Sequence, residues 1–242
     1  MDKSITELRE LCKKPFYHPF QQNMHYLMLY ITKPLLKTSI TPNQITIFWL
    51  ILQLIGSLFM VKGTYVFNVI GIILYTIAML LDYVDGQIAR IKKISTYKGI
   101  FLEELGIYFG SSVFMFCFSI GVARYYENYI YFILGIISSL AILYSKLAVV
   151  NPLSYADSKR EQLFQLKDKV STRSKNKHLA FVVLIFRRSN PFNFLFFGIL
   201  FNITHVVLIV YTVIYILEFA RRMIGQLGML HRLDKNLPST KI

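Results

Sequence analysis

Long apolar segments separated by short clusters of charge dominate the pattern along this chain. Uncharged runs of 24, 19, 19 and 18 residues occupy positions 38–61, 63–81, 105–123 and 128–145. About 20 residues cross a bilayer as a helix, and an ionised side chain at the bilayer centre costs about 3 kcal/mol. Each run therefore predicts one membrane-spanning helix.

A fifth uncharged run, 189–217, has 29 residues and is long for one crossing but short for two. A hairpin turning near residues 202–205 would give six spans with both termini in the cytoplasm. Only Lys62 and Arg124, of 27 lysines and arginines, would then lie outside, as the positive-inside rule requires. A single crossing would export Arg221 and Arg222. The pattern therefore predicts six transmembrane helices.

Composition supports a polytopic membrane protein. Hydrophobic residues make up 55% of the chain and charged residues 17%, against about 25% charged in an ordinary soluble domain. This excludes a disordered protein, a disulfide scaffold and most soluble enzymes. Cys12 and Cys117 lie far apart and predict neither a disulfide framework nor a metal site. The net charge of +14 is explained by orientation and anionic lipid, and no motif indicates nucleic-acid binding.

The N-terminal segment predicts a helix on the membrane surface. The first 14 residues are charged and lack the apolar core of a signal peptide. Residues 16–37 mix apolar and polar positions, which is typical of an amphipathic helix in the cytoplasmic interface. The predicted fold is thus an all-α integral membrane protein. It comprises a cytoplasmic N-terminus with an interfacial helix (1–41), a six-helix transmembrane domain (42–224) and a cytoplasmic tail (225–242).

Four acidic residues occupy positions where the bilayer disfavours charge. Asp82 and Asp85 lie at the inner end of the second predicted span, and Glu103 and Glu104 lie inside the third. Ionisable groups within a membrane are candidates for a functional site. We therefore expect the chemistry of the protein at the cytoplasmic ends of these two helices.

Helical periodicity places two of these carboxylates beside small residues. At about 100° per residue, Asp82, Asp85, Gly86 and Ala89 share one helix face. The two small residues would leave a notch in which a bulky ligand can approach the backbone. An antiparallel neighbour would bring Glu103 to the same depth.

Three carboxylates at one depth are suited to a hard divalent cation. Asp82, Asp85 and Glu103 supply the oxygen donors that Mg²⁺ or Mn²⁺ prefers. A metal ion in such a site usually accompanies a phosphate or pyrophosphate substrate, whose charge Arg90 would balance. An alternative interpretation is that Asp82, Asp85 and Arg90 form an interfacial ion pair that sets topology.

The segment resembles the signature of the CDP-alcohol phosphotransferases, D-x2-D-G-x2-A-R-x8-G-x3-D-x3-D. Six positions match by identity without a gap, and Glu103 is a conservative replacement at a seventh. The identical residues are Asp82, Asp85, Gly86, Ala89, Arg90 and Gly99. The segment 41–46, before the first span, also resembles the part of the family near the nucleotide.

The resemblance implies a transferase of phospholipid or related lipid biosynthesis. Such enzymes displace CMP from CDP-diacylglycerol or a CDP-alcohol with an acceptor hydroxyl, using divalent metal ions on the diphosphate. Two Mg²⁺ or Mn²⁺ ions, held by Asp82, Asp85 and Glu103, would be expected. The donor nucleotide would contact Asn43, Thr46, Asp82, Gly86, Ala89, Arg90 and Gly99. Relatives are often dimers, so the resemblance also implies a homodimer.

The last aspartate of the signature, which acts as the base in the family, falls on Ile107. Three interpretations remain. Glu104 supplies the carboxylate through a local helix distortion, making Glu103 and Glu104 the catalytic candidates. The acceptor needs no protein base. In the third interpretation, the protein binds a CDP-linked ligand or a partner without turnover. A small transporter would fit the composition but not the motif.

Overall fold

The computed structural model describes residues 4–12, 19–94, 96–154 and 193–236. Every regular element within these ranges is helical, and they contain no β-strand, which confirms the predicted all-α class. Most of the segment between the fourth predicted span and the fifth uncharged run, and the end of the predicted tail, lie outside the described residues.

The described helices are numbered here in chain order. They are α1 (Ile5–Cys12), α2 (Pro19–Leu35), α3 (Pro42–Met60), α4 (Tyr65–Lys92), α5 (Tyr97–Leu105), a π-helix (Gly106–Gly110), α6 (Ser111–Tyr125), α7 (Tyr129–Ser154), α8 (Phe194–Leu200) and α9 (Thr204–Asn236). The π-helix joins α5 and α6 into one continuous helix, because no turn interrupts residues 97–125.

Three helices are long and apolar enough to cross a membrane. They are α3, α4 and the continuous helix Tyr97–Tyr125, and a shorter apolar stretch occupies Tyr129–Ser145. These findings support an integral membrane protein, while the total of six spans stays a prediction. The chain leaves helical geometry between α8 and α9, at residues 201–203, next to the turn expected at 202–205.

Two glycines allow α3 and α4 to cross closely. A Cβ added at Gly56 would lie 2.8 Å from the carbonyl oxygen of Gly71, and a Cβ at Gly71 would lie 2.7 Å from that of Gly56. Small residues permit this approach of two backbones in a membrane. The crossing holds α3 against α4, so the first turns of α3 reach the motif at the end of α4.

The helices α3 and α5 begin at threonine caps. Thr41 accepts a hydrogen bond from the backbone of Gln44, whose side chain bonds back to the Thr41 N–H, and Pro42 occupies the first turn. Thr96 similarly accepts from the Gly99 N–H at 3.0 Å. These caps satisfy amide groups that an uncapped helix start leaves free. They fix where both helices begin beside the motif.

Candidate functional site

Asp85 is the most enclosed carboxylate of the motif. Its side chain, on the last turns of α4, is 8% exposed. Oδ2 accepts hydrogen bonds from the hydroxyl of Thr46 at 2.6 Å and from the indole N–H of Trp49 at 2.7 Å. Two donors from α3 therefore hold one oxygen in place. Thr46, which was expected at the nucleotide, lies against Asp85 through this bond.

The other two predicted metal ligands are less buried. Asp82 is half-buried, one turn earlier on α4, and Glu103 is exposed on α5. The Glu103 carboxylate lies close enough to Asp85 for their negative charges to repel each other. Among the described residues, no three acidic, histidine or cysteine side chains are placed to hold a metal ion. The oxygen donors suit Mg²⁺ or Mn²⁺, but holding an ion requires them to move closer together.

The N-termini of α3 and α5 meet beside the motif. The amide nitrogen of Asn43 donates to the hydroxyl of Thr96 at 3.2 Å. Gly99 lies directly behind this pair, because a Cβ there would be 2.7 Å from Oδ1 of Asn43. Two of the predicted nucleotide residues are therefore brought together, at two helix ends whose dipoles favour an anion.

Arg90 lies over the small residues of the α4 face. A Cβ added at Gly86 would be 3.4 Å from Nη2 of Arg90, so glycine leaves space beside the guanidinium. Nη2 is 3.1 Å from Nε2 of His25. The buried Nε of Arg90 has no hydrogen-bond partner in the described part of the chain. Ala89 is half-buried next to it, and its carbonyl accepts the Ile94 N–H that closes α4.

A helix distortion lies next to Glu104 and contains Ile107. The π-helix begins at Gly106, where a Cβ would be 1.9 Å from Cη2 of Trp49. The indole ring thus occupies the space that a side chain at Gly106 would need. A π-helix widens the turn by one residue and is frequent at functional sites. The widened turn changes the direction, about the helix axis, of the half-buried Glu104 side chain relative to the residues that follow it.

Polar groups also follow the Ile107 position. The hydroxyl of Tyr108 accepts a hydrogen bond from Nη1 of Arg222 at 3.3 Å. Arg222 in turn forms a salt bridge of 2.5 Å with Glu218, one turn earlier on α9. The structure therefore brings a cation from the last helix to the residue beside the missing aspartate.

Trp49, His25 and Thr96 are contacts that the sequence analysis missed. Trp49 is the single tryptophan of the chain and lies three residues after Thr46, on the same helix face. That spacing, together with an indole N–H that can donate to a carboxylate, could have identified Trp49 from the sequence as a residue of the site. His25 carries no such signal, because it lies on a different helix far from the motif in sequence.

Comparison with known proteins places the chain in a family. The family model for CDP-alcohol phosphatidyltransferase matches residues 39–217, which include α3 to α8 and the whole motif. A comparison with curated proteins finds no match. The matched segment covers well over half of the chain and agrees with the resemblance found in the motif. The chain therefore belongs to the CDP-alcohol phosphatidyltransferase family.

Proposed function

We propose that the protein is a membrane-embedded, metal-dependent transferase. It moves a phospho-alcohol or phosphatidyl group from a CDP-linked donor to an acceptor hydroxyl and releases CMP. One observation carries the proposal: the guanidinium of the half-buried Arg90 lies beside Gly86, with Nη2 3.4 Å from where a Cβ there would sit, and its buried Nε has no hydrogen-bond partner among the described residues. A buried charged donor left unpaired is costly. A donor phosphate would satisfy it with a charge-assisted hydrogen bond.

The reaction needs an acceptor oxygen to attack the phosphorus that carries the transferred group. The new P–O bond forms as the bond to the bridging oxygen breaks, and CMP leaves with that oxygen. The hydroxyl proton passes to a base. Arg90 binds and orients the diphosphate, and the N-termini of α3 and α5, joined by Asn43 and Thr96, face its negative charge.

Asp82, Asp85 and Glu103 would hold the metal, with two Mg²⁺ or Mn²⁺ ions expected. Bound there, the ions would neutralise charge on the diphosphate and stabilise the leaving group. The two hydrogen bonds on Oδ2 of Asp85 leave Oδ1 as the oxygen for an ion. Hydrogen bonds from surrounding residues commonly orient a metal-binding carboxylate in this way.

Glu104 is proposed as the base that replaces the family aspartate. It precedes the π-helix by two residues and is half-buried, whereas Ile107 has no group that can accept a proton. The widened turn supports an orientation of Glu104 that a regular helix would not give. Glu103 would then remain with the metal.

The proposed topology has six spans with both termini and the site cytoplasmic. Arg90 and Lys92 both lie in the last turn of α4, so cations gather at its motif end, as the positive-inside rule expects of a cytoplasmic end. Lys92 also donates to the carbonyl oxygens of Thr38 and Ile40. Exposed apolar side chains of α2, including Leu27 and Ile31, support its contact with lipid. The boundaries 1–41, 42–224 and 225–242, and a homodimer, stay predictions.

The missing aspartate favours one second candidate function. A family member with Ile107 would bind a CDP-linked ligand or a partner enzyme without transferring its phosphate group. The two candidates differ in a single observable, because only the transferase releases CMP.

The test is CMP release by the full chain purified in detergent. CDP-diacylglycerol and a panel of CDP-alcohols would be supplied with Mg²⁺ or Mn²⁺ and a panel of acceptor alcohols. Metal-dependent CMP from the wild type but not from Asp85→Asn would support the transferase. Glu127→Gln is the matched control, because Glu127 is exposed in the turn between α6 and α7. CDP-ligand binding with no CMP under any condition would favour the second candidate.

A further inference from the structure

A buried histidine connects the N-terminal helix to the arginine of the motif. His25, on α2, is 1% exposed. Its Nε2 lies 3.1 Å from Nη2 of Arg90, and its Nδ1 lies 3.2 Å from Nε2 of Gln87. The ring also packs edge-on against Tyr83. Three residues of the same segment of α4 therefore surround one side chain of α2.

The orientation of Gln87 decides which ring nitrogen can serve Arg90. The hydroxyl of Thr32 donates to Oε1 of Gln87 at 2.5 Å, and Nε2 of Gln87 donates to the backbone carbonyl of His25 at 2.5 Å. Both ring nitrogens of His25 consequently face nitrogen donors. A neutral imidazole has one acceptor nitrogen, and a protonated imidazole has none.

The acceptor is best assigned to Nε2. The amide of Gln87 already has a carbonyl acceptor in His25, whereas a guanidinium can only donate. A neutral ring with its hydrogen on Nδ1 satisfies Nη2 of Arg90. A protonated ring would instead place a second cation against the guanidinium. His25 is therefore a neutral acceptor for one corner of Arg90.

This contact leaves the rest of the guanidinium for a ligand. Nη2 is held by His25, while the buried Nε has no partner among the described residues. Arginine binds phosphate with a rigid fork of N–H groups, so the angle of the fork determines which oxygens it reaches. Because His25 of α2 holds Nη2, it also fixes the angle of the fork.

We propose that His25 is a positioning residue that orients Arg90 toward the diphosphate of the CDP-linked donor. The N-terminal helix α2 is then a wall of the donor site as well as a contact with the membrane surface. The inference rests on the proposed function, because it requires that Arg90 binds the donor.

The experiment compares acceptor-free and acceptor-bearing replacements of His25. His25→Phe keeps an aromatic ring but removes the acceptor, and His25→Gln places an amide oxygen near the position of Nε2. Calorimetric titration of the full-length protein with CMP and CDP should show about tenfold weaker binding for His25→Phe. His25→Gln should recover most of that loss. In turnover assays, KM for the donor should rise and kcat should change little.

A control at a second histidine, the half-buried His205, separates this role from the loss of any histidine hydrogen bond. The Nδ1 of His205 lies 2.8 Å from the hydroxyl of Tyr126, away from the motif. His205→Phe likewise removes a hydrogen bond of a histidine ring and should leave CMP and CDP affinity unchanged. Thermal unfolding of each variant checks that the protein remains folded.

A double-mutant cycle makes the inference falsifiable. If His25 acts through Arg90, then His25→Phe should cause no further loss of CMP affinity in an Arg90→Ala background. An equal loss in both backgrounds would assign His25 a structural role only. Wild-type affinity in His25→Phe would overturn the inference and leave the proposed function standing. Failure of the wild type and Arg90→Ala alike to bind CMP or CDP would overturn both.

Discussion

The indole N–H of Trp49 donates a hydrogen bond of 2.7 Å to Oδ2 of Asp85. The two residues lie on different helices, α3 and α4, and the same oxygen also accepts from Thr46. A buried carboxylate needs such donors, because removing it from water without partners is costly. The single tryptophan of the chain thus orients the central carboxylate of the motif.

Replacing Trp49 should impair metal-dependent activity more than it lowers the stability of the fold. Trp49→Phe retains a ring against Gly106 but removes the donor to Asp85. Loss of a hydrogen bond that orients a metal ligand typically lowers metal affinity or activity by about 10- to 100-fold. The measurement is CMP release over a Mg²⁺ titration. Phe48→Leu, at an exposed neighbour on α3, is the control. An unchanged Mg²⁺ requirement in Trp49→Phe would refute the role of Trp49.

Gly106 should tolerate no side chain. In Gly106→Ala the new Cβ would lie 1.9 Å from the Trp49 ring, so the ring or the π-helix must shift. Overpacking of this kind costs about 1–3 kcal/mol in the free energy of unfolding. Thermal unfolding in detergent measures it. Gly225→Ala is the matched control, since a Cβ there would have no atom within 4 Å apart from its chain neighbours and the adjacent backbone of its own helix, and alanine there should be neutral or slightly stabilising. Equal melting temperatures for the two variants would contradict the packing argument.

Glu104 should carry the proton transfer if the protein is a transferase. Glu104→Gln is expected to lower kcat by about 10²- to 10⁴-fold, the usual contribution of a general base, while CMP affinity stays near wild type. Steady-state kinetics and calorimetry measure the two quantities.

The double variant Glu104→Gln/Ile107→Asp tests the same assignment in the opposite direction. It returns a carboxylate to the family position and should regain part of the lost kcat. Full kcat in Glu104→Gln alone would show that the acceptor is deprotonated without this residue.

Replacing Gly86 by alanine should weaken CDP binding and change the stability of the protein little. In Gly86→Ala the added Cβ would sit 3.4 Å from Nη2 of Arg90, a tolerable contact, but it narrows the space beside the guanidinium. We expect near-normal unfolding and weaker CDP binding. Ala89→Gly, on the same face, enlarges that space and serves as the comparison. Unchanged CDP affinity in Gly86→Ala would place the phosphate elsewhere.

The sequence alone determined the class of the protein and the motif. Ionised residues are excluded from the bilayer centre at a cost of several kcal/mol, so charge spacing predicted membrane spans. The helices α3, α4 and Tyr97–Tyr125 are long and apolar enough to be three of them. Helical periodicity placed Asp82, Asp85, Gly86 and Ala89 on one face of α4, since it needs only a regular helix. The family was inferred from the ungapped spacing of the motif, and the matching family model confirms that the chain belongs to it.

Only the tertiary structure decided which residues surround that motif. Trp49 lies 36 positions from Asp85, and His25 lies 65 from Arg90, so both contacts depend on how separate helices pack. The π-helix likewise begins at Gly106, where the Trp49 ring of a neighbouring helix fills the space that a side chain would need. Local periodicity reports the face of one helix. It carries no information on which neighbour meets that face, because the neighbour is selected by the fit of whole helix surfaces.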